Sequence, residues 1–170
     1  MCGISTSMNE HEQGDGCRYV KPVLVKDRDA TPAYRHLIRV PYADVDQMKF
    51  VYYANYLVYF EMARTGMLRA AGVPYSELER RGVLLPVLAA HCDYHTAGHY
   101  EDLLAVDVTM PPFKGVRFRL HYKVWRVGTG RDEHPGEGTL LAEGHTDHVC
   151  MPPAGKVLRP DPAFVALAQS

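Results

Sequence analysis

From residue 34 onward the hydrophobic pattern changes period twice, and each change marks a change of element. Tyr34, His36, Ile38 and Val40 alternate with Arg35, Leu37 and Arg39, which predicts a strand whose second face is the more basic. Asp44–Lys49 follows as a turn. Between Ala54 and Ala71 the period lengthens. Leu57, Phe60, Ala63, Met67 and Ala71 recur at helical spacing, and Gly72 with Pro74 ends the run. Ser76-Glu-Leu-Glu79 has the capping-box pattern, so a second short helix is predicted to reach Arg81 and stop at Gly82. Strand patterns then occupy 83–94, 103–110, 116–127 and 139–151, each rich in β-branched, aromatic or aliphatic residues. Residues 128–138, with glycines, a proline and charges, read as a long exposed hairpin loop. Pro152-Pro-Ala-Gly155 is a turn, Lys156–Arg159 returns as a short edge strand, and Asp161-Pro162 starts a last short helix.

Strand, long helix, short helix, then a series of antiparallel strands is an α+β order, in which one helix covers the apolar face of one sheet. A sheet joined by hairpins curls around that helix. It leaves an edge strand open, which favours self-association. Residues 1–30 lack hydrophobic periodicity and carry several glycines; they are expected to form a disordered or loosely packed leader, with one domain over 31–170.

Charge narrows the partners. With 19 basic and 20 acidic residues the net charge is −1, so no global field draws in nucleic acid or an anionic membrane. No apolar run reaches the ~18 residues a membrane span needs. The start of the chain is polar, with Asn9, Glu10, Glu12 and Asp15, and lacks the basic-then-apolar plan of a signal peptide. Cys2, Cys17, Cys92 and Cys150 contain no CxxC pair. Reduced thiols and a cytoplasmic location are therefore expected.

The densest chemistry lies in Tyr42-Ala-Asp-Val-Asp-Gln-Met-Lys-Phe-Val-Tyr-Tyr-Ala-Asn-Tyr56. Its two carboxylates, Asp44 and Asp46, sit in a turn that delivers the chain to a helix N-terminus. A carboxylate there stands beside backbone N–H groups able to hold a developing oxyanion, a pairing suited to acyl transfer. The plain alternative is a turn aspartate bonding its own backbone, which is the expected role of Asp44. Tyr52, Tyr53 and Tyr56 form an aromatic entry to the helix, with Tyr56 in the core. Asn55 caps the helix or orients the turn. Glu61, within the long helix, needs a partner such as Arg64 or Arg39. His91, Asp93 and His95 share a strand face but match no zinc-ligand spacing, so strand or interface histidines are expected there and no metal.

Asp44-Val-Asp46, Val51-Tyr-Tyr-Ala-Asn-Tyr56, Phe60-Glu61, Arg64-Thr65, Leu85-Pro86, Tyr100-Glu-Asp-Leu103, Glu143-Gly-His-Thr146 and Gly155-Lys156 together resemble the hotdog-fold acyl-CoA thioesterases of the 4-hydroxybenzoyl-CoA thioesterase type, including the YbgC-like branch. The resemblance covers residues 34–160. It implies a five- to six-stranded antiparallel sheet wrapped around one long helix, in homodimers or homotetramers with active sites at the subunit interface. The implied substrate is a thioester of CoA or acyl-carrier protein, hydrolysed without a metal or organic cofactor. By position, Asp46 matches the catalytic aspartate and the Tyr53 N–H the oxyanion donor; Glu61 is the second catalytic choice, since other hotdog branches use a helix glutamate. Lys114, in Lys114-Gly-Val-Arg117, matches the region that meets the CoA phosphates, its plain alternative being a solvated strand edge. Tyr52, Asn55, Leu85 and Pro86 are the expected substrate-binding neighbours, the last two from an adjoining subunit. One departure stands out: Lys49 occupies a position where the family usually has glycine, closing off backbone freedom and adding a cation. The rival readings are a hydratase or dehydratase, which needs a histidine with an acidic partner, and a non-catalytic acyl-CoA-binding module.

Overall fold

The computed structural model describes residues 23–26, 32–130 and 138–160, with 162 and 165 singly. Elements follow in the order β1 (Val23–Lys26), β2 (Pro32–Arg39), α1 (Asn55–Ala70), α2 (Tyr75–Arg80), β3 (Val87–Tyr94), β4 (Asp102–Thr109), β5 (Arg117–Thr129) and β6 (Thr139–Val149). All strands join one antiparallel six-stranded sheet in the order β1-β2-β4-β5-β6-β3. One long helix lies across the sheet, as the pattern predicted.

The period-3.6 stripe of α1 buries Tyr56, Tyr59, Phe60, Ala63 and Met67. They meet the inward alternates of the strands: Ile38 on β2, Leu104, Val106 and Val108 on β4, Leu120, Tyr122 and Val124 on β5. The Phe60 ring stacks on Tyr122 at 4.3 Å and 8°. Gly144 permits that approach, because a Cβ there would fall on the His91 carbonyl and come within 3.0 Å of Phe60. A second cluster of Leu37, Leu103, Ala105 and Val127, with Trp125 against it, lies on the opposite sheet face.

Several local expectations need correction. The capping box does not form: α2 starts at Tyr75 with Pro74 as its N-cap, and no side chain caps it. Ser76 is therefore already helical, and Glu77 instead pairs with Arg80 and Arg81 at 2.7 and 2.8 Å. The strand expected from Val83 starts at Val87, since Pro86 has no N–H to give a ladder; Leu84 makes only an isolated bridge to Met151. Lys156–Arg159 contributes a single bridge, Leu158 to Cys150, rather than an edge strand. The sheet's edges are β1 and β3, and β3 exposes Val87 and Leu88 at 50% and 47%. β5 runs on through Thr129, two residues into the predicted hairpin loop, whose segment 131–137 lies outside the described residues. Of the expected leader, Val23–Lys26 runs as β1 beside β2; residues 1–22 and 27–31, like most of the expected terminal helix, lie outside the described residues. No described helix is long and apolar enough to cross a membrane.

Candidate active site

The link from β2 to α1 is a tight loop closed by its own backbone. Val45 bridges Val51, and the Asp46 N–H donates to the Phe50 carbonyl at 2.9 Å. Phe50 bridges His99, and the Val51 N–H reaches the Gly98 carbonyl at 2.8 Å, which ties the loop to the connection between β3 and β4. Inside it, Asp46 Oδ1 accepts the Met48 N–H at 2.8 Å and the Phe50 N–H at 3.4 Å. Oδ2 has no donor among the described residues. One carboxylate oxygen is thus held by the loop's backbone and the other is not, among the described residues.

Asp44 takes the structural role expected of it. Its carbonyl accepts the Tyr52 N–H and the Asn55 Nδ2 at 2.9 Å each, and its Oδ2 accepts the Tyr59 hydroxyl at 2.8 Å. Asn55 accordingly orients the turn; it is the first residue of α1, whose N-cap position is Ala54 with no side-chain cap. The start of α1 therefore has no side-chain cap. The Tyr53 N–H has no acceptor among the described residues, while its carbonyl accepts the Tyr94 hydroxyl at 3.0 Å. Burial pushes the Tyr94 phenol up to about 12, with the Cys92 contact adding to it, so Tyr94 remains a donor at any working pH.

An aromatic rim surrounds the turn. Tyr52 and Tyr53 lie with ring centroids 4.5 Å apart, and Phe50 meets His99 edge-on at 5.4 Å. The hydroxyl contact with Tyr53 raises the Tyr52 pKa, and the Asp46 charge adds to the rise. Tyr53 is 61% exposed and Tyr52 43%, a cluster large enough to expect a covering ligand or subunit. Lys49 has φ +65°, the left-handed conformation a glycine would supply at that position. The Asp46 carbonyl accepts its N–H at 2.9 Å and holds it there.

Other candidates lie elsewhere. Leu85 packs into the core at 3% exposure, leaving half-buried Pro86 as the surface of that pair. Both precede β3, and Lys114 precedes β5, at the end of the sheet away from Asp46. Glu61 is exposed rather than buried and forms no ion pair among the described residues; Arg64 reaches His148 Nε2 at 3.4 Å and Arg39 binds the Glu101 and Gly130 carbonyls. His91 binds Asp93 at 3.0 Å and His95 binds Glu143 at 3.3 Å, and no described group of three such side chains could hold a metal. Sequence reasoning missed Tyr94 and His99, because neither contact is local to the turn.

The sequence model of the thioesterase-like superfamily matches residues 40–166. The putative acyl-CoA thioesterase YneP of Bacillus subtilis is 32% identical over 114 residues, 67% of this chain and 76% of that protein. The acyl-CoA thioester hydrolase YbgC of Escherichia coli is 27% identical over 123 residues, 72% and 85% of the two chains. Among solved structures, a 4-hydroxybenzoyl-CoA thioesterase superposes with a TM-score of 0.69 over 80% of this chain and 98% of its own, at 16% identity. That last likeness establishes the hotdog fold.

Proposed function

The chain belongs to the thioesterase-like superfamily, and from that premise we propose that it hydrolyses acyl-CoA or acyl-carrier-protein thioesters at the Asp46 turn. The observation that carries this is the half-held carboxylate: Asp46 Oδ1 is anchored on two backbone N–H groups, and Oδ2 has no donor among the described residues, in the loop that leads into α1. As a general base, Oδ2 takes a proton from water while the hydroxide oxygen bonds to the thioester carbon. The Tyr53 N–H receives the oxyanion, a donor of this kind being worth about 3 kcal/mol of barrier. Collapse expels the thiolate, which recovers the proton from Asp46. As a nucleophile, Oδ2 bonds to the same carbon, the C–S bond breaks to release the thiolate, and water cleaves the resulting anhydride to the acid and the Asp46 carboxylate, its remaining proton going to the thiolate.

β3 indicates how the site is completed. Its eight residues span about 25 Å, with Tyr94 at the Asp46 end and Pro86 beyond the other. Antiparallel pairing of two exposed β3 edges across a two-fold axis sets the Val87 end of each beside the Tyr94 end of the other. Pro86 and Lys114 of one subunit then approach the Asp46 turn of its partner, Lys114 facing the CoA phosphates. The aromatic rim suits an aryl or medium-length acyl group. Cys92 and Cys150 form no disulfide among the described residues, in accord with a reducing, cytoplasmic setting.

His99, 3.7 Å from Asp102 and packed on Phe50, gives a hydratase reading one point of support. Thiol release from a panel of short, medium, long and aromatic acyl-CoAs, with Asp46→Asn beside the unaltered chain, separates these. Hydrolysis that falls about 10³-fold in the variant supports the proposal. Hydration of 2-enoyl esters without thiol release, or binding without turnover, overturns it.

A further inference from the structure

Of the segments that carry the family pattern, Tyr100-Glu-Asp-Leu103 has no part in the chemistry above. Its aspartate is the only buried carboxylate among the described residues, at 4% exposure. A carboxylate taken out of water is stable only when its oxygens are bonded or paired. Asp102 Oδ2 accepts the His99 N–H at 2.9 Å and lies 3.7 Å from Arg126 Nη1. The Asp102 N–H also donates to the His99 carbonyl at 3.2 Å, so one residue holds both backbone groups of another.

That clamp closes the turn between β3 and β4, and the turn is strained. Glu101 has φ +66° and Lys49 has φ +65°, the two non-glycine residues in left-handed backbone among the described residues. An L-residue keeps that conformation only where its surroundings hold it. The Glu101 N–H donates to the Val40 carbonyl, and its own carbonyl accepts the Gly130 N–H, at 3.1 Å each. The two strained turns meet each other. Phe50 bridges His99, and the Val51 N–H reaches the Gly98 carbonyl at 2.8 Å. Phe50 in turn engages Asp46 with both backbone groups, donating to Oδ1 and accepting the Asp46 N–H. A contiguous path runs from Asp102 through His99 and Phe50 to Asp46.

We propose that Asp102 is a positioning residue, whose carboxylate fixes the Gly98-His99 segment and, through it, the Phe50 N–H that holds Asp46 Oδ1. This rests on the reading of Asp46 as the reacting carboxylate. Asp102 acts through the backbone and not on the substrate. What it supplies is an acceptor for the His99 N–H, since Arg126 at 3.7 Å stands beyond hydrogen-bond distance. Asparagine, with an oxygen in the same place, can serve instead.

Hydrogen–deuterium exchange of the intact protein, read on peptides covering residues 46–52 and 118–124, tests the clamp without any thioester. Asp102→Ala speeds exchange over the first about tenfold and leaves the second unchanged, while Asp102→Asn keeps both within about twofold of the unaltered chain. If the alanine variant does not fold, Asp102→Ser takes its place with the same expectation. In thiol release, the alanine variant loses about tenfold in kcat with KM within about twofold, and asparagine restores most of the loss. Unchanged exchange over 46–52, equal acceleration of both peptides, or an asparagine variant as impaired as alanine overturns the proposal. So does a rise in KM with kcat intact. An unaltered chain that releases no thiol overturns the thioesterase reading alone, and the exchange rates still decide whether Asp102 positions the turn.

Discussion

The Asp46 turn and the His148 pocket each hold a titratable side chain by hydrogen bonds, and they leave it in opposite conditions. Among the described residues Asp46 is bonded through Oδ1 only, in a loop that leads to the exposed Tyr52 and Tyr53. His148 is fully buried and bonded on both sides: Nδ1 lies 3.2 Å from the Pro86 carbonyl and Nε2 2.7 Å from Thr146 Oγ1. A carbonyl can only accept, so Nδ1 carries the proton and Nε2 accepts the Thr146 O–H. The Thr146 oxygen is then left to accept the Tyr122 hydroxyl at 2.8 Å. The chain of protons runs one way from Tyr122 to Pro86. An incompletely bonded group can exchange a proton with substrate, whereas a fully bonded one fixes the approach of β6 to the start of β3.

The largest effect expected from this contrast is on activity. Asp46→Asn should reduce turnover about 10³-fold while changing stability by less than about 0.5 kcal/mol, because the amide oxygen can still accept both backbone N–H groups. Thiol release beside urea unfolding checks it. A variant that loses both together would make Asp46 a structural residue and erase the contrast.

The converse substitution, His148→Phe, should cost about 3 kcal/mol of stability, since it strands the Pro86 carbonyl and the Thr146 hydroxyl in the core. It also removes a pH dependence. Burial, with the Arg64 charge second, lowers the His148 pKa to about 4. The unfolded imidazole titrates near 6.5, so between those values the unfolded chain binds more protons. Stability is therefore complete above pH 6.5 and falls as pH drops toward 4, by about 3 kcal/mol for this residue. Burial lowers the His36 pKa as well and acts in the same direction, so His148→Phe should reduce the slope of stability against pH without abolishing it.

These two clusters also show where sequence was informative. The turn was legible because its chemistry is local: Asp44, Asp46, Tyr53 and Asn55 lie within twelve residues, and α1 was bounded to within one residue at each end by a strong period and Gly72. His148 and Thr146 share a strand face in the pattern, but their partner Arg64 is 84 residues from His148 and Pro86 is 62, contacts that no period records. Tyr94 escaped for the same reason, 41 residues from the carbonyl it binds. The capping box failed because Pro74 fixes the start of α2 one residue before Ser76.

Tyr94→Phe sharpens the comparison on the active side. It removes the bond to the Tyr53 carbonyl and leaves the ring in its edge-on contact with Tyr56 at 5.3 Å. Loss of about 1.4 kcal/mol of positioning would appear as a tenfold drop in kcat with KM nearly unchanged. A rise in KM alone would place Tyr94 in binding.

The smallest effect has the most to say about why the turn differs from the pocket. Lys49 holds φ at +65° at a cost of about 1 kcal/mol relative to a glycine in the same conformation. In the His148 pocket such a penalty would have no compensation in function. In the turn, the same residue puts an exposed cation three residues from Asp46. Lys49→Gly should therefore leave the loop's hydrogen bonds intact and relieve the strain, partly offset by the greater freedom of glycine in the unfolded chain. A net gain of about 0.5 kcal/mol in unfolding free energy is expected, accompanied by a severalfold rise in KM for CoA esters that shrinks as salt is added. A KM that stays fixed across ionic strength would remove the cation from substrate binding and leave the strained lysine without a function in the turn.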